Sequence, residues 1–216
     1  MEDELAAAVG RLRETFARYP RRAVLEGCPH CRGSVPVDED HLFSLTISLG
    51  NTVGTSDDVK SLLPLLLERL VTGNDLYPSV VLSMLVREGW RTWPAAEREA
   101  VDGYVMAVWR SLLAEYPPQV GSFGDAAGFL SVAGEFSSSM GPFLHAWETI
   151  RTPAADRHLA DLVIGWVGGV QLPDAVFTWM HRSMVRDRLY GAFERDHDVS
   201  WADDLARAYD FLAWQG

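Results

Sequence analysis

Residues 92–118 read TWPAAEREAVDGYVMAVWRSLLAEYPP. Thr92 supplies a hydroxyl cap and Pro94 a first-turn proline, the pairing that starts a helix. Val101, Val105, Val108, Leu112 and Tyr116 then recur at steps of three and four, the period of a helix with one buried stripe. Pro117 and Pro118 stop the run, because neither can donate a backbone hydrogen bond. The reading is a helix over 94–115, the longest of the chain, and its neighbours repeat the pattern.

On the N-terminal side, Leu5, Val9, Leu12 and Phe16 predict a first helix over 3–18. Residues 20–37 carry Pro20, Gly27, Pro29, Gly33 and Pro36, so they read as loop. Asp38 reads as an N-cap for a short helix with Leu42, Leu45 and Leu49 on its inner face, closed by Gly50 and Gly54. Ser56 with Asp57 and Asp58 starts a third helix that bends at Pro64 and ends at Gly73. A fourth opens between Asp75 and Pro78, carries Val81, Leu82, Leu85 and Val86, and ends at Gly89.

On the C-terminal side, Asp125 caps a helix with Phe129, Leu130, Ala133 and Phe136, and Pro142 begins another with Phe143, Leu144, Trp147 and Ile150. Thr152 and Pro153 open the next, with Leu159, Leu162, Val163, Trp166 and Val170 as its buried face. Helices over 174–181 and 183–195 follow, and Ser200 to Asp203 approximates a capping box for the last. No stretch alternates like a strand. The fold class is therefore all-α, with about ten or eleven helices in antiparallel pairs, forming an irregular HEAT-like α-solenoid or a helical bundle. The solenoid is favoured, although no repeat of fixed period is visible. One domain over 1–216 is expected, since 216 residues and 24.0 kDa suffice for a core without disulfides.

Thirty acidic against nineteen basic residues give a formal charge of -11, with acids in excess in every third of the chain. Nucleic-acid binders displace counterions with clustered Lys and Arg, and the nearest such group, Arg182, Arg186 and Arg188, is offset by Asp187. No nucleic-acid partner is expected. An acidic field instead suits a protein partner, in particular a basic one, and it also serves solubility. The first four residues, Met1 to Glu4, lack the basic start of a signal peptide, and no apolar run reaches the roughly 18 residues of a membrane span. Cytoplasmic localisation without membrane association is the expectation.

Cys28-Pro29-His30-Cys31, followed by Arg32-Gly33, is the most specific local motif. A Cys-Pro-x-Cys turn aims two thiolates at one cation, but structural zinc takes four ligands and the chain has only two cysteines. His30, His41, Asp38 or Asp40 would have to complete the set, so the candidate metal residues are Cys28, Cys31, His30 and His41. No other cofactor is expected. The same four residues resemble the active site of thioredoxin-fold oxidoreductases, whose first thiolate sits at a helix start after a strand, a setting this sequence does not offer. Two reduced thiols packed in a loop is the plainest alternative.

Other candidates are weaker. His197-Asp198 is the lone dipeptide of the kind that HD phosphohydrolases use, and it lies in a linker. His145 with Glu148, and His158 with Asp161, share helical faces at i, i+3 and read as surface pairs. No serine elbow, phosphate loop or zincin signature occurs. Of eight tryptophans most should be core, while Trp90 and Trp93 flank Arg91 between two helices, where they either pack or act with Arg91 as a partner anchor.

The stretch from Thr52 to Lys60, the run Leu63 to Glu68 and the stretch Gly89 to Pro94 together resemble a group of uncharacterised bacterial all-helical proteins, over roughly residues 42 to 115. That group has no assigned reaction, ligand or partner, so the resemblance implies a helical fold and nothing functional. The function expected from the sequence is a non-catalytic helical binding or scaffold protein that offers an acidic surface to a protein partner. An immunity or antitoxin protein against a basic toxin is the narrower version, and a metal-binding or thiol-redox protein using Cys28 and Cys31 the alternative.

Overall fold

In the computed structural model the segment 92–118 forms its helix over Ala95–Ala114, after a single 3-10 turn at Trp90–Thr92. The structure describes residues 2–27, 33–38 and 41–214. Among these the chain is all-α, with eleven helices and one two-stranded sheet. The helices are α1 (Glu2–Phe16), α2 (Leu42–Ser48), α3 (Ser56–Thr72), α4 (Pro78–Arg87), α5 (Ala95–Ala114), α6 (Ala126–Phe136), α7 (Gly141–Thr149), α8 (Pro153–Val167), α9 (Asp174–Met180), α10 (Ser183–Arg195) and α11 (Ala202–Trp214). No described helix is long and apolar enough to cross a membrane.

Caps explain most of these boundaries. Asp125 accepts the Gly128 amide and Thr152 the Ala155 amide, as expected of N-caps. At α3 the cap is Thr55 rather than Ser56, and its hydroxyl and the Asp58 carboxylate satisfy each other's backbone amides in a capping box. Asp38 does not cap α2 directly. Its carboxylate takes the His41 amide at 2.9 Å, and His41 stands at the helix boundary. Pro64 stays inside a continuous α3.

The segment 20–37 is not all loop, because β1 (Val24–Leu25) and β2 (Val35–Pro36) pair antiparallel, with Leu25 opposite Val35. Two residues per strand are too few for an alternating pattern to register in a sequence.

The framework divides within α5 into two compact units, Met1–Val108 with Val120–Ser122, and Trp109–Gln119 with Phe123–Gly216. In the first unit α1 packs on α3 and α2 on α4. The core is mainly aliphatic, built from Leu12, Leu45, Leu62, Leu63, Leu66 and Leu85, with Phe16, Trp90 and Tyr104 buried beside them. Tyr104 ties α5 to α3 by donating to the Leu67 carbonyl at 2.6 Å. Residues 120–122 join this unit through the Ser122 amide, which donates to the Leu70 carbonyl at 2.8 Å. Gly121 is required there, for its φ is +51° and a Cβ would lie 2.4 Å from the Leu70 carbonyl oxygen.

The second unit has an aromatic core. Trp109 stacks on Phe129 at 4.7 Å and meets Trp147 edge-on at 5.1 Å, and Trp147 stacks on Trp179 at 5.4 Å. Each indole N–H finds an acceptor, Trp109 on the Phe143 carbonyl, Trp147 on the Ala155 carbonyl and Trp179 on the Glu148 carboxylate. Around this core α8, α10 and α11 pack together, with α6 against α8 and α7 against α9. Val170, expected on the buried face of α8, lies beyond its end and is exposed.

Candidate functional site

One exposed apolar feature of the first unit lies on α2 and α4. Leu42, Leu45 and Leu49 point inward as expected, but Phe43 and Ile47, one helical turn apart, face outward at 40% and 54% exposure. Tyr77, at the start of α4, is 61% exposed and meets Phe43 edge-on with ring centres 5.5 Å apart. Val86 near the end of α4 is 47% exposed. The two helices run parallel, since their starts meet at Phe43 and Tyr77 while a Cβ on Gly50 would lie 2.4 Å from Glu88 Oε1 beyond their ends. Their expected pairing as antiparallel sequence neighbours does not describe this contact, because α3 intervenes in the chain between them.

Two stretches of this wall lack charged residues, with Asp75, Arg87 and Glu88 at their borders. From Leu42 to Ser56, and again from Leu76 to Val86, the sequence has no ionisable acid or base, in a chain that is 23% charged. The outward Phe43, Ile47 and Val86 side chains bring no ionisable or metal-ligating group. They can bury area against another apolar surface.

The expected anchor at residues 90–93 is placed differently. Trp90 and Trp93 are both buried in the unit. Arg91 lies at the surface over the Trp90 ring and pairs with both oxygens of Asp102 at 3.0 Å. Neither indole is offered to a partner.

Trp93 instead walls a buried ion cluster that the sequence reading missed. Lys60, the chain's single lysine, ion-pairs with Glu97 at 2.9 Å and sits 4.6 Å over the Trp93 ring and 5.2 Å over the Tyr19 ring. The Tyr19 hydroxyl donates to Glu97 at 2.7 Å, and Arg18 pairs with the same carboxylate from the solvent side. Burial alone pushes the Glu97 carboxyl up, but hydrogen bonds from Tyr19, Lys60 and Arg18 outweigh it and hold it below its ordinary range. Lys60 is held above its ordinary value in the same way, its own burial opposed by Glu97 and Tyr19. Both cations share the one carboxylate, so the cluster fastens the start of α5 to α3 and the end of α1.

The second unit has its own cluster. Arg188 is buried and donates to Asp156 at 2.6 Å and to the Trp147 and Ile150 carbonyls at 2.6 and 2.7 Å, while Arg195 reaches the other Asp156 oxygen at 3.0 Å. His158, expected on the surface, is buried, and its Nε2 meets the Glu115 carbonyl at 2.8 Å. His145 is exposed and lies 3.8 Å from Glu148. Nearby, Arg157 stacks on the Tyr116 ring at 3.7 Å and faces Trp201 at 5.1 Å. The cleft there, bounded also by Asp161, Asp204 and Leu205, has an internal volume of about 10 Å³, enough for one water and no ligand. His197 bonds the Glu194 carbonyl in its linker.

Cys28, His30, Cys31 and Asp40 lie outside the described residues. Next to them, Gly27 and Gly33 approach so closely that a Cβ on Gly27 would lie 2.1 Å from the Gly33 carbonyl oxygen. His41 Nδ1 meets the Asp38 carboxylate at 2.6 Å. Among the described residues no three His, Cys, Asp or Glu side chains gather as a metal would require.

Compared with protein-family models, with curated proteins and with solved structures, the chain matches none of them.

Proposed function

We propose that the chain is a non-catalytic helical binding protein whose contact surface is the wall formed by α2 and α4. The observation that carries this reading is the outward set Phe43, Ile47 and Tyr77 on a stretch without charge. A contiguous apolar patch is costly to keep in water, and on soluble proteins such patches mark contact sites. The ionisable clusters add support of a different kind. Lys60 with Glu97, and Arg188 with Asp156, are internally paired, and the cleft at Arg157 is too small for a substrate. The acid excess elsewhere speeds encounter with a basic protein surface without being the contact itself.

The test is site-resolved. A photo-crosslinking amino acid at Ile47 or Phe43 should give protein adducts in cells, and the same group at the exposed Val199 should not. Equal adducts from both positions, or turnover of a substrate that Phe43→Glu leaves intact, would remove the reading.

The zinc alternative keeps two observations in its favour. With Nδ1 of His41 engaged by Asp38, Nε2 is left to bind a metal in the carboxylate–histidine–zinc arrangement, and the contact of Gly27 with Gly33 draws together the two sides of the cysteine segment. Cys28, Cys31, His30 and His41 would be the ligands. Elemental analysis of protein purified without chelator decides it, and less than about a tenth of an equivalent of zinc ends it, since structural zinc is held stoichiometrically.

A further inference from the structure

We infer that the second unit holds a binding site for an arginine side chain of a partner protein, and that Arg157 occupies this site from within the chain. Arg157 leaves α8 with its guanidinium 3.7 Å over the Tyr116 ring and 5.1 Å from the Trp201 ring. Among the described residues no hydrogen bond or ion pair of its own holds it there. Arg91 stacks as closely, 3.8 Å over the Trp90 ring, but is fixed by both oxygens of Asp102. Arg157 is held by ring faces alone, a contact that weighs little at a protein surface.

The surroundings are those of a cation site. Asp161 and Asp204 line the same cleft, and neither pairs with Arg157: Asp161 accepts from the Tyr116 hydroxyl and Asp204 from Arg207. With the Arg157 side chain in place the cleft admits one water. The space that its guanidinium fills lies against two ring faces and beside two carboxylates, and swinging the side chain out breaks no hydrogen bond. An incoming anion would meet those carboxylates, so the group that replaces Arg157 is a cation.

The resident group identifies the visitor. A guanidinium carbon 3.7 Å from a ring centre is at stacking distance for a flat cation, which an arginine matches and a tetrahedral ammonium does not. A partner's arginine is not tethered to α8, so it can approach the carboxylates that Arg157 leaves alone. The formal charge of -11 draws basic proteins toward the chain, and arginine, tryptophan and tyrosine are the side chains on which interface energies concentrate. None of the residues of the α2/α4 wall takes part, so this site stands whether or not that wall binds.

The test titrates the full chain, labelled with fluorotryptophan, with the peptide acetyl-Gly-Arg-Gly-amide, and Trp201→Phe assigns the Trp201 fluorine signal. A saturable shift of that signal is expected, and Arg157→Ser should lower the dissociation constant about fivefold by removing the internal competitor. Asp161→Asn combined with Asp204→Asn should raise it about threefold, and the lysine analogue of the peptide should bind at least about threefold more weakly. A Trp201 signal that the arginine peptide does not move overturns the inference. So does an Arg157→Ser chain that binds no more tightly than the native one, a carboxylate variant that binds unchanged, or equal affinity for the lysine peptide. Should Arg157→Ser fail to fold, Arg157→Gln takes its place and the same gain is required. Tighter binding of free arginine than of the peptide also overturns the inference, since the site would then take a small molecule and not a partner's side chain.

Discussion

Each unit buries an ion cluster among its described residues, and the two are built on opposite principles. In the second unit the cation is a guanidinium whose fixed fork makes three aimed bonds, one to Asp156 and two to carbonyls at the end of α7. In the first it is an ammonium, a point charge held by one carboxylate, one phenol and two ring faces. Arg188 thus completes the backbone of a helix end, which otherwise leaves carbonyls unsatisfied, while Lys60 completes only other side chains. Equal burial therefore need not mean equal dependence: another cation should not replace the arginine, whereas the lysine's site should tolerate removal of the whole pair.

The largest effect that follows is at Arg188. Arg188→Met leaves Asp156 buried with only Arg195 beside it and strips the Trp147 and Ile150 carbonyls of their donor, which should cost about 4 kcal/mol of unfolding free energy in urea. Arg188→Lys should recover less than half of that, since an ammonium cannot reach three separated acceptors. Full recovery by lysine would show that charge alone matters and erase the contrast between the clusters.

At Glu97 a smaller loss is expected. Glu97→Gln keeps the shape, removes the counter-charge of a buried ammonium, and should cost about 2 kcal/mol. The double variant Lys60→Met with Glu97→Leu should be more stable than Glu97→Gln, because no uncompensated buried charge remains, Arg18 being exposed to water, and the rings of Tyr19 and Trp93 then pack on carbon. A double variant less stable than the single would mean that this cluster, like that of Arg188, fixes something that packing cannot replace.

The sequence conveyed the helices far better than it conveyed these clusters. Prolines at 78, 94, 142 and 153, glycines at 73 and 89 and the caps Asp125 and Thr152 act within one turn of themselves, so each boundary is written where it occurs. Lys60 and Glu97 are 37 residues apart, and Asp156 and Arg188 are 32, so nothing local announces their pairing. One signal did exist, because Asp156 and His158 fall among Ala155, Leu159, Leu162 and Val163 on the inward arc of α8, and an ionisable residue there must be buried with a partner. Phe43 and Ile47 were legible too, as a second apolar stripe beside Leu42, Leu45 and Leu49 that leaves α2 no fully polar face.

Acid should separate the two units' titrating groups by pH, and this is the smallest effect, since it concerns one proton at a time. Burial holds the His158 imidazole below its ordinary value, so the unfolded chain takes up this proton before the native one does. Its contribution is complete above the unfolded value near pH 6.5 and drains away as pH falls toward the folded value. Glu97 is also held low, despite the upward push of its burial, by bonds from Tyr19, Lys60 and Arg18, and its contribution is complete above the unfolded value near 4.5 and lost below it. Urea midpoints followed downward from pH 8 should therefore begin to fall below about 6.5 and steepen below about 4.5. In His158→Gln, whose amide can still donate to the Glu115 carbonyl, the upper part of that fall should flatten while the lower part persists. In Glu97→Gln the reverse should hold. If His158→Gln leaves the profile between pH 7 and 5 untouched, His158 titrates as it would in water, and the burial assigned to it in the second unit is wrong.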